Sequence, residues 1–126
     1  KGSDVTILST GPTIDLALKL KEELTRLNIH STIVDLLWIR PLDLNTIEEE
    51  IRKTKKFIIL DESYLDSGVS GYILNRINPA FIGKFFKTFA FPPEPIIHGD
   101  RSKIMEFYGL DEKKISSQIQ SELANC

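Results

Sequence analysis

The chain has 126 residues, of which 41% are hydrophobic and 27% charged, the make-up of one soluble domain around a single core. Six prolines and seven glycines are too few for a disordered or fibrous chain, and no apolar run approaches the roughly 18 to 20 residues of a membrane helix. A net charge of −2 gives no broad positive field for a phosphate backbone, so neither a membrane nor a nucleic acid is an expected partner.

In chain order, Val5-Thr6-Ile7-Leu8-Ser9 is a short β-prone run that Thr10-Gly11-Pro12 breaks, with the proline placed near the first turn of a helix. Ile14, Ala17, Leu18, Leu24 and Leu27 keep a three-four spacing, Lys21 excepted, so one stripe of that helix faces a core. Asn28 ends it. A second strand spans Ile29 to Leu37, centred on Thr32, Ile33 and Val34, and Leu44, Ile47 and Ile51 mark one face of a second helix that Asp43 or Asn45 caps.

Phe57 to Leu60 is a continuous apolar run, the pattern of a strand covered on both faces, as parallel strands usually are. Ser67 to Ile77 reads as a third helix stopped at Asn78-Pro79, because proline disfavours helix in the residue before it. Lys84 to Phe91 is a fourth strand carrying Phe85, Phe86, Phe89 and Phe91, closed by Pro92-Pro93-Glu94-Pro95. Strand and helix alternating through short links argue for a three-layer α/β/α sandwich with a mainly parallel sheet of about five strands, one edge strand open to an antiparallel placement.

After Pro95 the character changes to a helical tail, residues 96–126 of a single domain that takes the whole chain. Ile96-Ile97-His98-Gly99 leads into two helical segments split by Gly109, the first started by Asp100 or Ser102. The second begins at Leu110-Asp111-Glu112 and carries Ile115, Ile119 and Leu123 four apart on one face, so this tail packs. The one cysteine, Cys126, excludes an internal disulfide and a multi-cysteine metal site, which fits a reducing compartment: the cytoplasm, or the stroma or matrix of an organelle. Lys1-Gly2-Ser3-Asp4 runs straight into a strand without an apolar signal segment, so the sequence reads as a trimmed piece.

A strand ending in Asp35, then Trp38-Ile39-Arg40-Pro41-Leu42-Asp43, a short helix, Phe57-Ile58-Ile59-Leu60-Asp61-Glu62, and Ser67-Gly68-Val69-Ser70-Gly71 opening another helix form the most telling order in the chain. It resembles the C-terminal domain of the transketolase-like, thiamine-diphosphate-dependent enzymes. Towards the end, an apolar stretch, His98-Gly99, a short helix, Tyr108-Gly109-Leu110-Asp111 and a terminal helix look most like the 1-deoxyxylulose-5-phosphate synthases of that family. The front half, Asp4 to Leu60, is as similar to 2-oxoacid dehydrogenase beta subunits and split transketolases.

The resemblance implies a domain that serves homodimer and interdomain contacts in a transferase while binding no cofactor itself. In the family, thiamine diphosphate is held through magnesium by a Gly-Asp-Gly turn and a downstream Asn in another domain. Gly99-Asp100-Arg101 has the wrong third residue for that turn, and Asn125 sits at a terminus. The implied partners are the remaining domains or subunits of the parent enzyme, and the lone chain is expected to be inactive. The competing class is a free-standing α/β module holding a small metabolite at the strand ends near Thr10, Asp35 and Asp61.

Individual residues divide between structural and functional readings. Asp61 and Glu62 follow a central strand, at the edge where open α/β sheets place ligands; adjacent carboxylates in an extended chain point to opposite sides, which favours helix capping or a domain contact over acid-base work. Thr10 and Gly11, at the end of the first strand, form either an anion cradle at a helix N-terminus or a plain turn. His98 either holds the tail through a hydrogen bond or acts catalytically or on a metal, although no second ligand stands at the spacing a metal needs. Trp38 and Tyr64, large amphipathic side chains near strand ends, are interface candidates. Arg52, Lys53, Lys55 and Lys56 crowd the end of the second helix, where cations suit the negative pole of the helix dipole; the alternative is a phosphate-binding patch.

Overall fold

The computed structural model describes residues 3–9, 13–36, 44–61, 69–90 and 111–125. Among them run strands β1 (Ser3–Ser9), β2 (Ser31–Asp35), β3 (Thr54–Asp61) and β4 (Phe85–Ala90). Helices α1 (Ile14–Arg26), α2 (Leu44–Arg52), α3 (Val69–Arg76) and α4 (Glu112–Ala124) alternate with them, joined by a 3-10 helix over Pro79–Lys84. The strands pair in the order β2-β1-β3-β4, every pair parallel. The α/β sandwich expected from the sequence is present. Among the described residues the sheet has four strands, where about five were expected.

Alternation along the strands sends neighbouring side chains to opposite faces. Val5, Ile7, Ile58, Leu60 and Phe89 join Leu16, Ala17, Leu20 and Leu24 of α1 and Ile115 and Ile119 of α4 in one buried cluster. Leu8, Phe57 and Ile59 join Ile47 and Ile51 of α2, Ile73 of α3, Ile77, and Phe81 of the 3-10 helix in the other. The central strands are thus covered on both sides, which is why β3 reads as an unbroken apolar run. Full burial of an aliphatic or aromatic side chain stabilises by about 1.5–3 kcal/mol, and twelve of the largest are less than 2% exposed, so two cores rather than the sheet's hydrogen bonds set the layer arrangement.

Several boundaries differ from the sequence reading for identifiable reasons. The buried stripe of α1 is Leu16, Ala17, Leu20 and Leu24, while Leu18 is 53% exposed. In this phase Lys21 faces water and needs no exception. Asn28 takes φ 63°, the left-handed conformation that Asn tolerates better than most residues, and Ile29 N–H then donates back to Leu24 O at 2.8 Å. The extended chain therefore starts only at Ser31. Because α2 begins at Leu44, Asn45 is inside the helix, and Asp43 falls outside the described residues.

Asn78 does more than stop a helix. Its side chain accepts from Ala80 N–H at 2.9 Å with Pro79 next, and its own N–H donates to the Glu48 carboxylate at 2.8 Å. That places the 3-10 helix against α2. In the tail, Asp111 caps α4 by accepting from Lys114 N–H at 2.7 Å. Ile115 and Ile119 are buried as the four-residue spacing predicts, and Leu123 is partly buried against the same cluster.

Candidate functional site

The strand order contains one reversal of direction. From β1 the chain crosses by α1 to β2 on one side, and from β3 it crosses by α3 to β4 on the other, so a topological switch point lies between β1 and β3. In open α/β sheets the crevice outside the carboxyl ends of the strands at such a point is the usual ligand site. The register brings Ser9 beside both Asp35 and Leu60, and Asp61 beside Ala90. All four strands therefore end at one level.

Two buried hydroxyls stand at this edge. Ser9, the last residue of β1, and Thr13, just before α1, stand with their oxygens 2.6 Å apart, and Thr13 Oγ1 also donates to Leu60 O of β3 at 3.3 Å. Both residues are fully buried. Thr13 occupies the N-cap position of α1, yet its side chain makes no capping bond, because the hydroxyl is turned sideways to the strands. On the outer side, Leu36 N–H donates to Ser9 O at 2.6 Å and ties β2 to the same point. Among the described residues, these bonds fix the edge of the sheet.

Of the residues singled out in the sequence, Asp61 is the last residue of β3, at the switch-point edge. Thr10, Gly11, Trp38, Glu62, Tyr64 and His98 lie outside the described residues. Ser9 and Thr13 were not singled out. Their signal was a serine following Ile7 and Leu8 at the end of a strand and a threonine directly after Pro12, a pattern that solvent-facing turns share.

The basic cluster is spread further than its sequence spacing suggests. Only Arg52 ends α2; Lys55 and Lys56 belong to β3. Each cation faces a carboxylate: Arg52 with Glu49 at 3.1 Å, Lys53 with Glu50 at 3.7 Å, Lys55 with Asp4 at 3.6 Å and Lys56 with Glu122 at 3.3 Å. A stripe of unopposed charge for phosphates is not formed by these four. An open groove of about 340 Å³ lies between β4 and α4, lined by Phe86, Ser117, Gln118, Ser121, Glu122 and Asn125. Its described lining offers hydroxyl, amide and carboxylate groups.

Among the described residues, no group of three or more His, Cys, Asp or Glu side chains is placed to hold a metal ion, and no helix is long and apolar enough to cross a membrane.

Fold and edge together define a three-layer α/β arrangement with a parallel sheet and a buried hydroxyl pair at its switch point. The chain belongs to the family of the transketolase C-terminal domain, whose model matches residues 1–115. It is 32% identical over 123 residues to 1-deoxy-D-xylulose-5-phosphate synthase of Dictyoglomus turgidum, and 28% identical over 120 residues to that of Clostridium acetobutylicum. These alignments take in 98% and 95% of this chain but 20% and 19% of the relatives, so the chain spans about a fifth of the curated relatives it matches. The resemblance read from the sequence, including its lean towards these synthases, is borne out.

Solved structures agree on the fold. A split-gene transketolase described as an inactive beta4 tetramer superposes with a TM-score of 0.70 at 22% identity, over 98% of this chain and 40% of that one. The 2-oxoglutarate:ferredoxin oxidoreductase of Magnetococcus marinus gives 0.62 at 17% identity, over 97% of this chain and 18% of that one.

Proposed function

We propose that this chain is the non-catalytic C-terminal domain of a thiamine-diphosphate-dependent transferase of the 1-deoxyxylulose-5-phosphate synthase type, an enzyme that joins pyruvate, after decarboxylation, to glyceraldehyde 3-phosphate. Its work is to brace the domains that carry the chemistry and to supply contacts between two copies of the parent enzyme. Thiamine diphosphate and magnesium belong to the parent's other domains, where they supply the decarboxylation and carbon-carbon bond formation. The whole sequence, 1–126, acts as one unit in the cytoplasm, or in an organelle stroma or matrix.

The observation that carries this reading is the buried hydroxyl pair at the switch point. At the edge where an α/β sheet of this topology receives a ligand, the Ser9 and Thr13 hydroxyls are bonded to each other and Thr13 also to Leu60 O, with both residues fully buried. Coverage of nearly all of this chain by about a fifth of each relative supports the existence of further domains. Paired cations at Arg52, Lys53, Lys55 and Lys56 support partners other than nucleic acid.

Isothermal titration of the purified chain with thiamine diphosphate and magnesium tests the proposal. We expect no heat of binding, and no product from pyruvate and glyceraldehyde 3-phosphate. Stoichiometric uptake of the coenzyme, or turnover by the chain alone, would overturn it.

A further inference from the structure

At the opposite edge of the sheet, where the strands begin, the C-terminus of α2 meets an unusual set of donors. An α-helix ends in carbonyls without intrahelical partners and carries partial negative charge there. Thr6 Oγ1 of β1 donates to Glu50 O at 3.2 Å, and Thr54 Oγ1 of β3 donates to Ile51 O at 3.0 Å. Lys84, the last residue of the 3-10 helix, sends its ammonium into the same place. Its Nζ lies 3.3 Å from Ile51 O, 3.2 Å from Arg52 O and 2.9 Å from Thr54 O.

Three carbonyl oxygens around one nitrogen match the three donors of an ammonium group. Thr54 and Thr6 further fix the cage, since their hydroxyls are linked at 3.3 Å and both residues are 5% exposed or less. Convergent backbone carbonyls at such distances are also the means by which proteins replace the hydration shell of a large monovalent cation. The side chain of Lys84 is half-buried and its charge has no carboxylate among the ion pairs described. Its compensation comes from helix carbonyls instead.

We propose that Ile51 O, Arg52 O and Thr54 O form a monovalent-cation site whose tethered occupant is the Lys84 ammonium, and that a free cation of the ammonium or potassium class takes this place when the side chain is shortened. The site ties the end of α2 and the start of β3 to the segment that enters β4. This goes beyond the bracing role proposed above and does not depend on the parent enzyme's reaction.

Chemical rescue of Lys84→Ala in the full 126-residue chain is the test, read as thermal unfolding in chloride salts of equal ionic strength. Lys84→Ala should melt below the wild type, and roughly 0.2 M methylammonium or potassium should restore about half of the lost Tm, because a ligand that binds only the folded state stabilises by linkage. Tetramethylammonium, too large for the cage, and lithium, too strongly hydrated, should not, and the wild type should show no such selectivity. Equal responses to all four salts, or a neutral Lys84→Met chain as stable as wild type, would overturn the proposal. Should Lys84→Ala fail to fold, the wild type still decides: its Lys84 ammonium must give a resolved, slowly exchanging nitrogen-15 NMR signal at neutral pH, and exchange as fast as the exposed Lys19 and Lys21 rules the cage out.

Discussion

Ser9 and Thr13 place their hydroxyl oxygens 2.6 Å apart inside the protein, with neither residue exposed, at the point where β1 hands over to α1. Four residues apart in sequence, they bridge two elements and reach a third through Leu60 O. A bond of this kind is worth about 1 kcal/mol net, but leaving a buried partner unmatched costs about 1–3 kcal/mol. Replacing Thr13 by Val keeps the shape and removes the hydroxyl. Thr13→Val should lose stability in that range by denaturant titration, while Thr13→Ser, which keeps the oxygen, should lose no more than about 1 kcal/mol for its missing methyl.

A second prediction concerns the aromatic edge. Phe57 pairs with Phe85 and Ile58 with Lys87, so Phe86 is an extra residue, a bulge in β4. The bulge turns Phe86 to the same face as Phe89, and the rings meet edge to face at 6.4 Å and 67°. Phe89 is buried and Phe86 only partly so. Phe89→Ala should therefore cost about 3–5 kcal/mol, and Phe86→Ala clearly less, as chemical unfolding of the two variants will show.

Asn28 provides a cleaner backbone test. At φ 63° the residue sits where a Cβ is costly and glycine is free. Asn28→Ala should destabilise by about 1 kcal/mol, consistent with the left-handed penalty of roughly 1–2 kcal/mol for residues with a Cβ. Asn28→Gly should leave the melting point close to that of the wild type. The opposite ranking in calorimetry would contradict the turn geometry.

The Lys56–Glu122 pair joins β3 to α4 at 3.3 Å, with side chains 19% and 31% exposed. Such partly solvated pairs rarely exceed about 1 kcal/mol. A double-mutant cycle with Lys56→Met and Glu122→Gln should give a coupling below that value, shrinking further in 1 M salt as screening predicts. A larger, salt-independent coupling would mean that the end of α4 is held by charge more than by Ile115 and Ile119.

Much of this architecture was legible in the residues themselves. Phe57 to Leu60 announced a strand covered on both faces, and Ile115 and Ile119 announced a packed tail, because burial imposes a period that composition cannot hide. The phase of α1 was harder: Leu18 and Leu16 are equivalent as letters, and only the sheet's position decides that Leu16 goes in and Leu18 stays out. Lys55 and Lys56 looked like a helix end since β3 begins earlier than its apolar run, through pairing of Thr54 and Lys56 with Ser3 and Val5. Ser9, Thr13 and Lys84 left the faintest trace, as their meaning lies in partners 4 to 47 positions away.

Helix α4 shares its buried cluster with α1, so residues of α1 wait for Ile115 and Ile119 before their apolar surface is closed. During synthesis, Leu20 and Leu24 emerge from the ribosome roughly ninety codons ahead of those two isoleucines, at about 5–20 residues per second, an interval of seconds in which that half of the core stays open to solvent or to a chaperone. Emergence of α4, more than the pairing of β1 with β3, should set the moment at which this half of the core becomes resistant to proteolysis.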